Sequence, residues 1–254
     1  MDFANDLTAS EIIPNIRKLQ ALFVDMDDTL VNYREAVLAG LDSVRGRIPE
    51  LQETGVEEME KDFRELLTQS LPRLYNKEIS FRDDGRMRLG EILQRHGWKS
   101  NGEEIIHYDN LFWSIFWKKR RLLHGAINVL RLCRDFEIPV AIITNGNPQI
   151  QFRTMIRLKL HDYVDIVLTP ENIDEMKPSN TLFERAMAIF DVNPERVIMV
   201  GDSFSHDVMG AVNSGIIPVW FNNSREKRTQ DVNTVEIASF MELLDKLRFN
   251  GGNK

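Results

Sequence analysis

The chain has little cysteine and no excess of basic charge. Both features reduce the range of functions that the sequence allows. Cys133 is the single cysteine among 254 residues, so no intramolecular disulfide can form. Its place in an apolar helical pattern predicts a packing role instead. The formal net charge is −7 at pH 7. This charge disfavours binding to a nucleic acid polymer or to an anionic membrane surface.

Long apolar runs and two common nucleotide-binding motifs are also missing from the sequence. No segment reaches the roughly 18 apolar residues of a membrane span. The acidic residues 1–6 lack the basic and apolar regions of a secretory signal, so we expect a cytoplasmic protein without a membrane partner. The absence of Gly-x-x-x-x-Gly-Lys and Gly-x-Gly-x-x-Gly motifs removes the main support for a nucleoside triphosphate or dinucleotide site.

Short apolar runs alternate with helical patterns over most of the chain, which predicts βαβ units and a parallel sheet. The predicted strands are residues 21–24, 140–144, 164–168, 197–200 and 218–221. The helical patterns between and after them are residues 126–136, 148–160, 180–190, 205–213 and 239–247. The expected fold class is therefore α/β, with a doubly wound, Rossmann-like core.

Residues 32–123 differ from this pattern, because they contain helical patterns and no convincing strand. The stretch is too long for an ordinary connection between strands. Its helical patterns are residues 35–48, 57–71, 86–96 and 103–119. We therefore predict an all-helical cap domain at 32–123, inserted into a catalytic core made of residues 1–31 and 124–254.

An acidic cluster follows the first predicted strand directly, within residues 22–30. Residues two apart in extended backbone project to the same side, so Asp25 and Asp27 can point at one reacting group. Two carboxylates about 4 Å apart repel by about 4 kcal/mol at an effective dielectric of about 20, so the pair needs a cation or a proton. Taken alone, an aspartate-rich structural turn is an equally good interpretation.

Polar residues also follow the second and third predicted strands. Thr144, Asn145 and a glycine precede a helical pattern, where exposed N–H groups favour an anion. A strand-to-helix cap without function has the same pattern. Lys177 precedes Pro178 at a predicted helix start. A solitary lysine at such a position is ordinarily solvated.

Two further aspartates, Asp202 and Asp207, follow the fourth predicted strand. A capping role explains one of them but hardly both. Carboxylate oxygens are ligands that Mg²⁺ prefers, together with waters and phosphate oxygens. The segment therefore predicts a magnesium site.

In combination, these four segments resemble the haloacid-dehalogenase-like superfamily. The resemblance covers residues 22–30 and 125–247. It implies that Asp25 attacks phosphorus in line, and that Asp27 protonates the leaving oxygen and later activates water. It also implies that Thr144 and Lys177 hold the phosphoryl oxygens, assisted by Asn145. The helical insertion looks like the mobile cap domain that many members carry after the first motif.

The resemblance further implies that Mg²⁺ is bound by Asp25, the backbone carbonyl of Asp27 and Asp202, with Asp207 in support. Charge considerations agree with this ligand set. Four carboxylates and a phosphate of charge about −2 cannot assemble around Lys177 alone, so a divalent cation is required.

The function that these implications favour is Mg²⁺-dependent hydrolysis of a small phosphate monoester through an aspartyl-phosphate on Asp25. The haloacid dehalogenases themselves resemble the pattern only at the first aspartate, so Asp27 argues against dehalogenation. Residues 23–30 and the insertion point look most like the nucleotidase and sugar-phosphate phosphatase branches. The expected partner is a small phosphorylated metabolite such as a nucleoside monophosphate or a sugar phosphate.

Other functions stay open beside this one. A sugar-phosphate mutase would use the same residues and yield an isomerised product with little free phosphate. A non-catalytic regulatory binder would keep the fold, although it has no need for a self-repelling carboxylate cluster. A receiver domain shares an aspartate, a threonine and a lysine on a similar sheet, but it does not explain the helical insertion.

The insertion also contains aromatic and basic residues that invite a functional interpretation. We predict that the aromatic residues mostly form the interior of the insertion: Trp98, Phe112, Trp113, Phe116 and Trp117. A ring that faces the substrate is the alternative for each of them. Arg82, Arg86 and Arg88 are candidates for binding a distal anionic group, although a solvated surface is the favoured interpretation.

Overall fold

A computed structural model describes residues 13–99, 102–172, 175–228 and 230–249 of the chain. The chain divides into two compact units. One comprises the described residues of Met1–Val31 and Leu122–Lys254, and the other those of Asn32–Arg121. The second unit ends two residues before the end of the predicted insertion at 32–123, and its assignment as a cap domain stays a prediction. Residues 1–12 of the leader before the first strand lie outside the described residues.

The described residues form six strands and nine α-helices. The strands are β1 (Ala21–Val24), β2 (Val140–Ile143), β3 (Ile166–Leu168), β4 (Val197–Gly201), β5 (Ile217–Phe221) and β6 (Val235–Ile237). The helices are α1 (Tyr33–Arg45), α2 (Val56–Tyr75), α3 (Phe81–Arg95), α4 (Glu104–Lys119), α5 (Ala126–Asp135), α6 (Pro148–Arg157), α7 (Thr181–Phe190), α8 (Met209–Asn213) and α9 (Phe240–Phe249). In the part of the chain that the structure describes, every helix falls short of the combined length and apolarity that a membrane crossing requires.

Six strands of the described chain form one parallel sheet in the order β3-β2-β1-β4-β5-β6. Strand β1 lies between β2 and β4, where the strand order reverses. Open α/β sheets bind ligands at the carboxyl ends of the strands at such a position. The predicted doubly wound α/β class is confirmed, and the predicted strands differ from β1 to β5 by at most two residues at either end. Strand β6 was missed, because three residues are too few for a periodic pattern.

Both faces of the sheet are covered, which explains the continuous apolar sequence of β1. Leu22 and Val24 pack with residues of α5 and α9, whereas Ala21 and Phe23 pack on the opposite face with residues of α7. Fully burying one large aliphatic or aromatic side chain contributes about 1.5–3 kcal/mol. Strand β1 is therefore anchored from both sides, and the residues that follow it have a well-defined position.

Cys133 has the packing role that the sequence predicts. It is buried in α5, within the cluster that includes Leu22 and Val24. Burial raises the pKa of its thiol to about 12. The thiolate that a nucleophile requires is therefore scarce near neutral pH.

The helical unit packs α1 to α4 around an aromatic interior. Phe112 stacks on Phe63 with ring centroids 5.5 Å apart, and on Phe116 at 6.1 Å. Gly40 in α1 allows α4 to approach closely, since a Cβ at this position would lie 2.7 Å from the ring of Phe112. The predicted aromatic interior is confirmed for the residues that are buried: Trp98, Phe112, Phe116 and Trp117.

Arg88 contradicts the favoured interpretation of a solvated surface. Its side chain is buried, its Nε donates a hydrogen bond to Oδ2 of Asp84 at 2.7 Å, and its guanidinium lies 4.6 Å from the ring centroid of Phe63. Arg86 pairs with the buried Asp109 at 3.6 Å. The charge of Arg88 is tolerated inside the unit because its acidic partner lies four residues earlier on the same helix.

The two ends of the helical unit meet. The N–H of Asn32 donates to the carbonyl oxygen of Arg121 at 3.1 Å, and the N–H of Arg121 donates to Oδ1 of Asn32 at 2.7 Å. Val31 and Leu122, which flank these residues, form an isolated antiparallel bridge. The chain therefore leaves the α/β unit and returns to it at one place.

Candidate active site

Asp25 follows β1 directly, and its buried carboxylate contacts the ammonium group of Lys177. The Nζ atom donates to Oδ1 of Asp25 at 2.7 Å, to Oδ1 of Asp207 at 2.6 Å and to the carbonyl oxygen of Ile143 at 2.6 Å. The N–H of Asp25 donates to the carbonyl oxygen of Val200 at 2.9 Å, which extends the pairing of β1 with β4 by one residue. The sheet therefore fixes the backbone of Asp25, and Lys177 fixes its carboxylate.

The ammonium group of Lys177 has a protein acceptor for each of its three hydrogens. Burial alone would lower the pKa of Lys177, but the charges of Asp207 and Asp25 outweigh burial and raise it. The group is therefore a permanent cation. Contact with a phosphoryl oxygen requires the exchange of one of these hydrogen bonds, and the phosphate-binding role of Lys177 stays a prediction.

Asp202 follows β4 and is held by Thr29, in the turn after β1, and by Trp220 in β5. The hydroxyl of Thr29 donates to Oδ1 of Asp202 at 3.1 Å, and the N–H of Asp202 donates to Oγ1 of Thr29 at 2.9 Å. Nε1 of Trp220 in β5 donates to the carbonyl oxygen of Asp202 at 2.8 Å. Carboxylate oxygens of Asp25, Asp202 and Asp207 lie within 4.8 Å of one another.

Asp207 lies in a π-helical turn, Phe204–Val208, and both its carboxylate oxygens are engaged. Oδ1 accepts from Lys177, and Oδ2 accepts from the N–H of Ser203 at 3.0 Å. A Cβ on Gly201 would lie 2.2 Å from the Asp207 carboxylate, so this position requires glycine. The arrangement suits Asp207 for support of a metal site.

The carboxylates around Lys177 carry more charge than this one cation balances. Burial raises the pKa of Asp25, against the lowering effect of Lys177. Burial also raises the pKa of Asp202, and the charges of Asp25 and Asp207 add to that rise. A divalent cation with oxygen ligands would favour the ionised carboxylates, and Mg²⁺ fits this donor set. The proposed ligand roles of Asp25, Asp202 and the backbone carbonyl of Asp27 stay predictions.

The carboxylate of Asp27 is hydrogen bonded by Gln151 of α6. Nε2 of Gln151 donates to Oδ2 of Asp27 at 2.7 Å and lies 3.4 Å from Oγ1 of Thr144. The Gln151 side chain is buried. One amide therefore connects the predicted acid/base of the first motif with the hydroxyl of the second motif.

Thr144 and Asn145 occupy different roles at the carboxyl end of β2. Oγ1 of Thr144 accepts from the N–H of Gly146 at 3.0 Å and from Gln151. Both lone pairs are engaged, which leaves the O–H to donate, and its contact with a phosphoryl oxygen stays a prediction. Asn145 pairs with the backbone of Lys177 in both directions, at 3.0 and 2.9 Å. Asn145 therefore positions Lys177, and its own contact with phosphate stays a prediction.

Sequence reasoning gave no role to Thr29, Trp220 and Gln151, which the structure places around the predicted residues. Thr29 lies within the first motif, four residues after Asp25. Gln151 lies on the buried face of α6 together with Thr154. A polar residue on the buried face of a helix is the signal that would have identified it.

Comparisons with known proteins identify the family of this chain. A family model described as haloacid dehalogenase-like hydrolase matches residues 19–215. A glyceraldehyde 3-phosphate phosphatase from Pyrococcus furiosus is 27% identical over 247 residues, which cover 94% of this chain and 98% of the relative. The pyrimidine 5'-nucleotidase PynA from Streptococcus pneumoniae is 27% identical, over 90% of this chain and 95% of the relative.

Solved structures share the fold at low sequence identity. The magnesium-bound HAD-hydrolase YfnB from Bacillus subtilis has a TM-score of 0.69 at 17% identity, over 91% of this chain and 99% of that chain. A HAD phosphatase from Thermococcus onnurineus has a TM-score of 0.58 at 24% identity, over 90% and 98%. Since the family model covers more than half of the sequence, the chain belongs to the haloacid dehalogenase-like hydrolases.

Proposed function

We propose that this hydrolase is a Mg²⁺-dependent phosphatase that cleaves a small phosphate monoester through an aspartyl-phosphate on Asp25. The observation that carries the proposal is the close group of buried Asp25, half-buried Asp202 and buried Asp207 at the carboxyl ends of two central strands, with Lys177 paired to Asp25 and Asp207. The names of the relatives, phosphatases of a sugar phosphate and of a nucleotide, support the same chemistry.

In the first step, a carboxylate oxygen of Asp25 forms a bond to phosphorus in line with the leaving oxygen. The bond between phosphorus and the leaving oxygen breaks, and its electron pair stays on that oxygen. Asp27 donates a proton to the same oxygen, so that an alcohol departs instead of an alkoxide. Thr144 donates its hydroxyl hydrogen to a phosphoryl oxygen and orients the group.

In the second step, Asp27 is ionised and removes a proton from a water molecule. The water oxygen attacks phosphorus, the bond to Asp25 breaks, and phosphate leaves with the electron pair returned to the Asp25 carboxylate. Lys177 donates a hydrogen bond to Oδ1 of Asp25 and so favours one rotamer of this side chain, while the other carboxylate oxygen forms and later breaks the bond to phosphorus. The two aspartates therefore divide the roles of nucleophile and acid/base.

The same residues would hold the metal. Asp25, Asp202 and the backbone carbonyl of Asp27 would bind Mg²⁺, with Asp207 in support, and the bound ion would supply positive charge for the approaching phosphate. Thr29 contributes by fixing the rotamer of Asp202 before any ligand arrives. Such preorganisation reduces the rearrangement that binding requires.

We propose a sugar phosphate or a nucleoside monophosphate as the substrate. Both classes occur in the names of relatives that match most of the chain, and a ribulose-1,5-bisphosphate 5-phosphatase from Halopiger xanaduensis, 28% identical over 81% of this chain, adds a further sugar phosphate. A mutase would use the same residues, whereas a binder without turnover would keep the fold without needing the carboxylate cluster, and the fate of the phosphoryl group separates these alternatives.

The test is phosphate release by purified protein from glyceraldehyde 3-phosphate, ribulose bisphosphate, glycerol phosphate and a panel of nucleoside monophosphates, with Mg²⁺ or with EDTA. We expect Mg²⁺-dependent release that Asp25→Asn abolishes. Asp245→Asn, the same change at an exposed position of α9, is the matched control and should keep full activity. Full activity of Asp25→Asn would contradict the proposal.

Other outcomes identify the alternatives. An isomerised sugar phosphate with little free phosphate would indicate a mutase. Saturable binding of a phosphate ester without release of phosphate would indicate a regulatory binder. The covalent intermediate is tested with Asp27→Asn, which should retain a phosphoryl group on the peptide that contains Asp25 after a brief incubation with substrate.

A further inference from the structure

Gln151 is a buried polar residue whose side-chain amide donates toward the first and second predicted motifs. It lies 1% exposed in α6, and its Nε2 donates to Oδ2 of Asp27 at 2.7 Å. The same atom lies 3.4 Å from Oγ1 of Thr144. Asp27 is 124 residues away along the chain, so the contact is a product of the fold and not of local helix geometry.

The burial of Oε1, the oxygen of the same amide, is energetically unfavourable. Oε1 has no hydrogen-bond partner among the described residues. A buried acceptor without a partner is unfavourable, so packing alone would prefer an apolar side chain of this length. The amide is therefore explained by its bond to Asp27 and not by the stability of α6.

Gly146 provides the space for this contact. A Cβ at residue 146 would lie 1.8 Å from Nε2 of Gln151 and 2.9 Å from Oδ2 of Asp27. Any side chain here would push the flexible end of Gln151 away from the carboxylate. Gly146 and Gln151 therefore both affect the hydrogen bond between Gln151 and Asp27.

We propose that Gln151 is a positioning residue that holds the carboxyl group of Asp27 in the rotamer required for proton transfer to the leaving oxygen. The proposal rests on the proposed function, in which Asp27 is the acid/base. A general acid must lie within hydrogen-bond distance of the oxygen it protonates, and a freely rotating side chain meets this condition for a fraction of the time. Gln151 itself touches neither the substrate nor phosphorus in this scheme.

A leaving group that needs no proton provides the discriminating test. The nitrophenolate of para-nitrophenyl phosphate departs without protonation, whereas the alkoxide of glycerol phosphate requires it. The ratio of the two kcat/KM values therefore reports proton donation to the leaving group and is insensitive to general loss of folded protein. The values are measured for wild type, Gln151→Met, Gly146→Ala and Asp27→Asn, at saturating Mg²⁺.

We expect Gln151→Met to lower kcat/KM for glycerol phosphate by about 10- to 100-fold, a part of the 10²–10⁴-fold that general acid catalysis typically supplies. The value for para-nitrophenyl phosphate should change by less than about 3-fold. Gly146→Ala should show the same selective loss, by displacing the amide without removing it. Gln149→Met, the same change at an exposed position of α6, is the matched control and should alter neither value.

Three results would overturn the inference, and they are distinguishable. If Asp27→Asn is selective for the leaving group but Gln151→Met and Gly146→Ala are not, the positioning role is wrong and the proposed function stands. If both substrates lose activity equally in the Gln151 variant, the residue is structural. If Asp27→Asn itself shows no selectivity, Asp27 is not the acid, and the proposed mechanism fails together with the inference.

Discussion

Both units bury ionic groups, but each described buried carboxylate of the helical unit has an arginine partner, whereas the carboxylates close to Lys177 in the α/β unit outnumber it. In the helical unit, buried Arg88 pairs with buried Asp84, and Glu60 accepts from two arginines. In the α/β unit, Lys177 lies among more carboxylates than it can neutralise. Buried charges are stable when they are paired, so an unbalanced group implies a missing counter-charge. The paired charges stabilise the helical unit, whereas the excess of carboxylates beside Lys177 supports the proposed Mg²⁺ site.

The variant Asp25→Asn tests most directly whether the cluster beside Lys177 serves catalysis or the fold. The change removes the nucleophile, so we expect activity to fall by about 10⁴-fold or more, equivalent to about 5 kcal/mol or more in transition-state stabilisation. It also removes one charge from the unbalanced cluster, so the free energy of unfolding in EDTA should not decrease. Phosphate release and urea unfolding of the same preparation measure both effects. A large loss of stability would mean that the cluster is structural.

Arg88→Met tests the balanced cluster. Asp84 would be left buried without its partner, which typically costs about 3–5 kcal/mol. The loss should be the same in Mg²⁺ and in EDTA, because it lies outside the proposed metal site. Urea unfolding with both additions checks this expectation.

The control for Arg88 is Arg95→Met in the same helix. Arg95 forms an ion pair with Glu91 at the same sequence spacing and longer pairs with Asp62 and Glu65 at 3.7 and 3.8 Å. Its side chain is 34% exposed, and exposed pairs contribute about 0–1 kcal/mol each. The double variant Arg88→Met with Asp84→Leu should recover much of the stability that the single variant loses. Equal losses from Arg88→Met and Arg95→Met would remove the distinction between buried and exposed pairs.

Addition of Mg²⁺ tests the same comparison by supplying the proposed counter-charge. At 100 times the dissociation constant, a ligand that binds the folded state alone stabilises it by about 2.7 kcal/mol. We expect Mg²⁺ to raise the unfolding temperature of the wild type and of Arg95→Met. Asp202→Asn should lose this rise. An unchanged unfolding temperature in the wild type would argue against a cation site around Asp25 and Asp202.

The smallest expected effect concerns the packing of uncharged residues in the helical unit. Gly40→Ala places a methyl group 2.7 Å from the ring of Phe112, and overpacking of this kind costs about 1–3 kcal/mol. Gly90→Ala in α3 meets Ile105 at 3.7 Å, an ordinary contact, and should stabilise the unit by up to about 1 kcal/mol through helix propensity. Urea unfolding of both variants should therefore give effects of opposite sign.

Residues that follow apolar strands were identifiable from the sequence, because parallel strands end at one edge of a sheet. Strands β1, β2 and β4 bring three of these residues to that edge: Asp25, Thr144 and Asp202. The local sequence pattern alone closely predicts the bounds of these strands. Lys177 and Asp207 were noticed in the segments after the third and fourth predicted strands, and the family resemblance supplied their roles. Their shared hydrogen bonds, however, could not be predicted, since they depend on the packing of distant segments.

The sequence failed where burial depends on a partner from elsewhere in the chain. Arg88 was expected to be solvated, because an isolated arginine is costly to bury and the sequence does not show the interior that Phe63 and α4 create. Gln151 was overlooked because its contact with Asp27 joins residues 124 positions apart. In both cases the local pattern gives the helix, and tertiary structure gives the residue its role.

The meeting of Asn32 with Arg121 has a consequence for protein engineering. Because Val31 and Leu122 already pair as neighbours, the four-helix segment can be excised and the breakpoint closed with a short turn, at little cost in chain entropy. The same junction accepts a foreign segment whose termini are equally close. Recombination at this site would therefore exchange the helical unit and leave the sequence of the α/β unit unchanged.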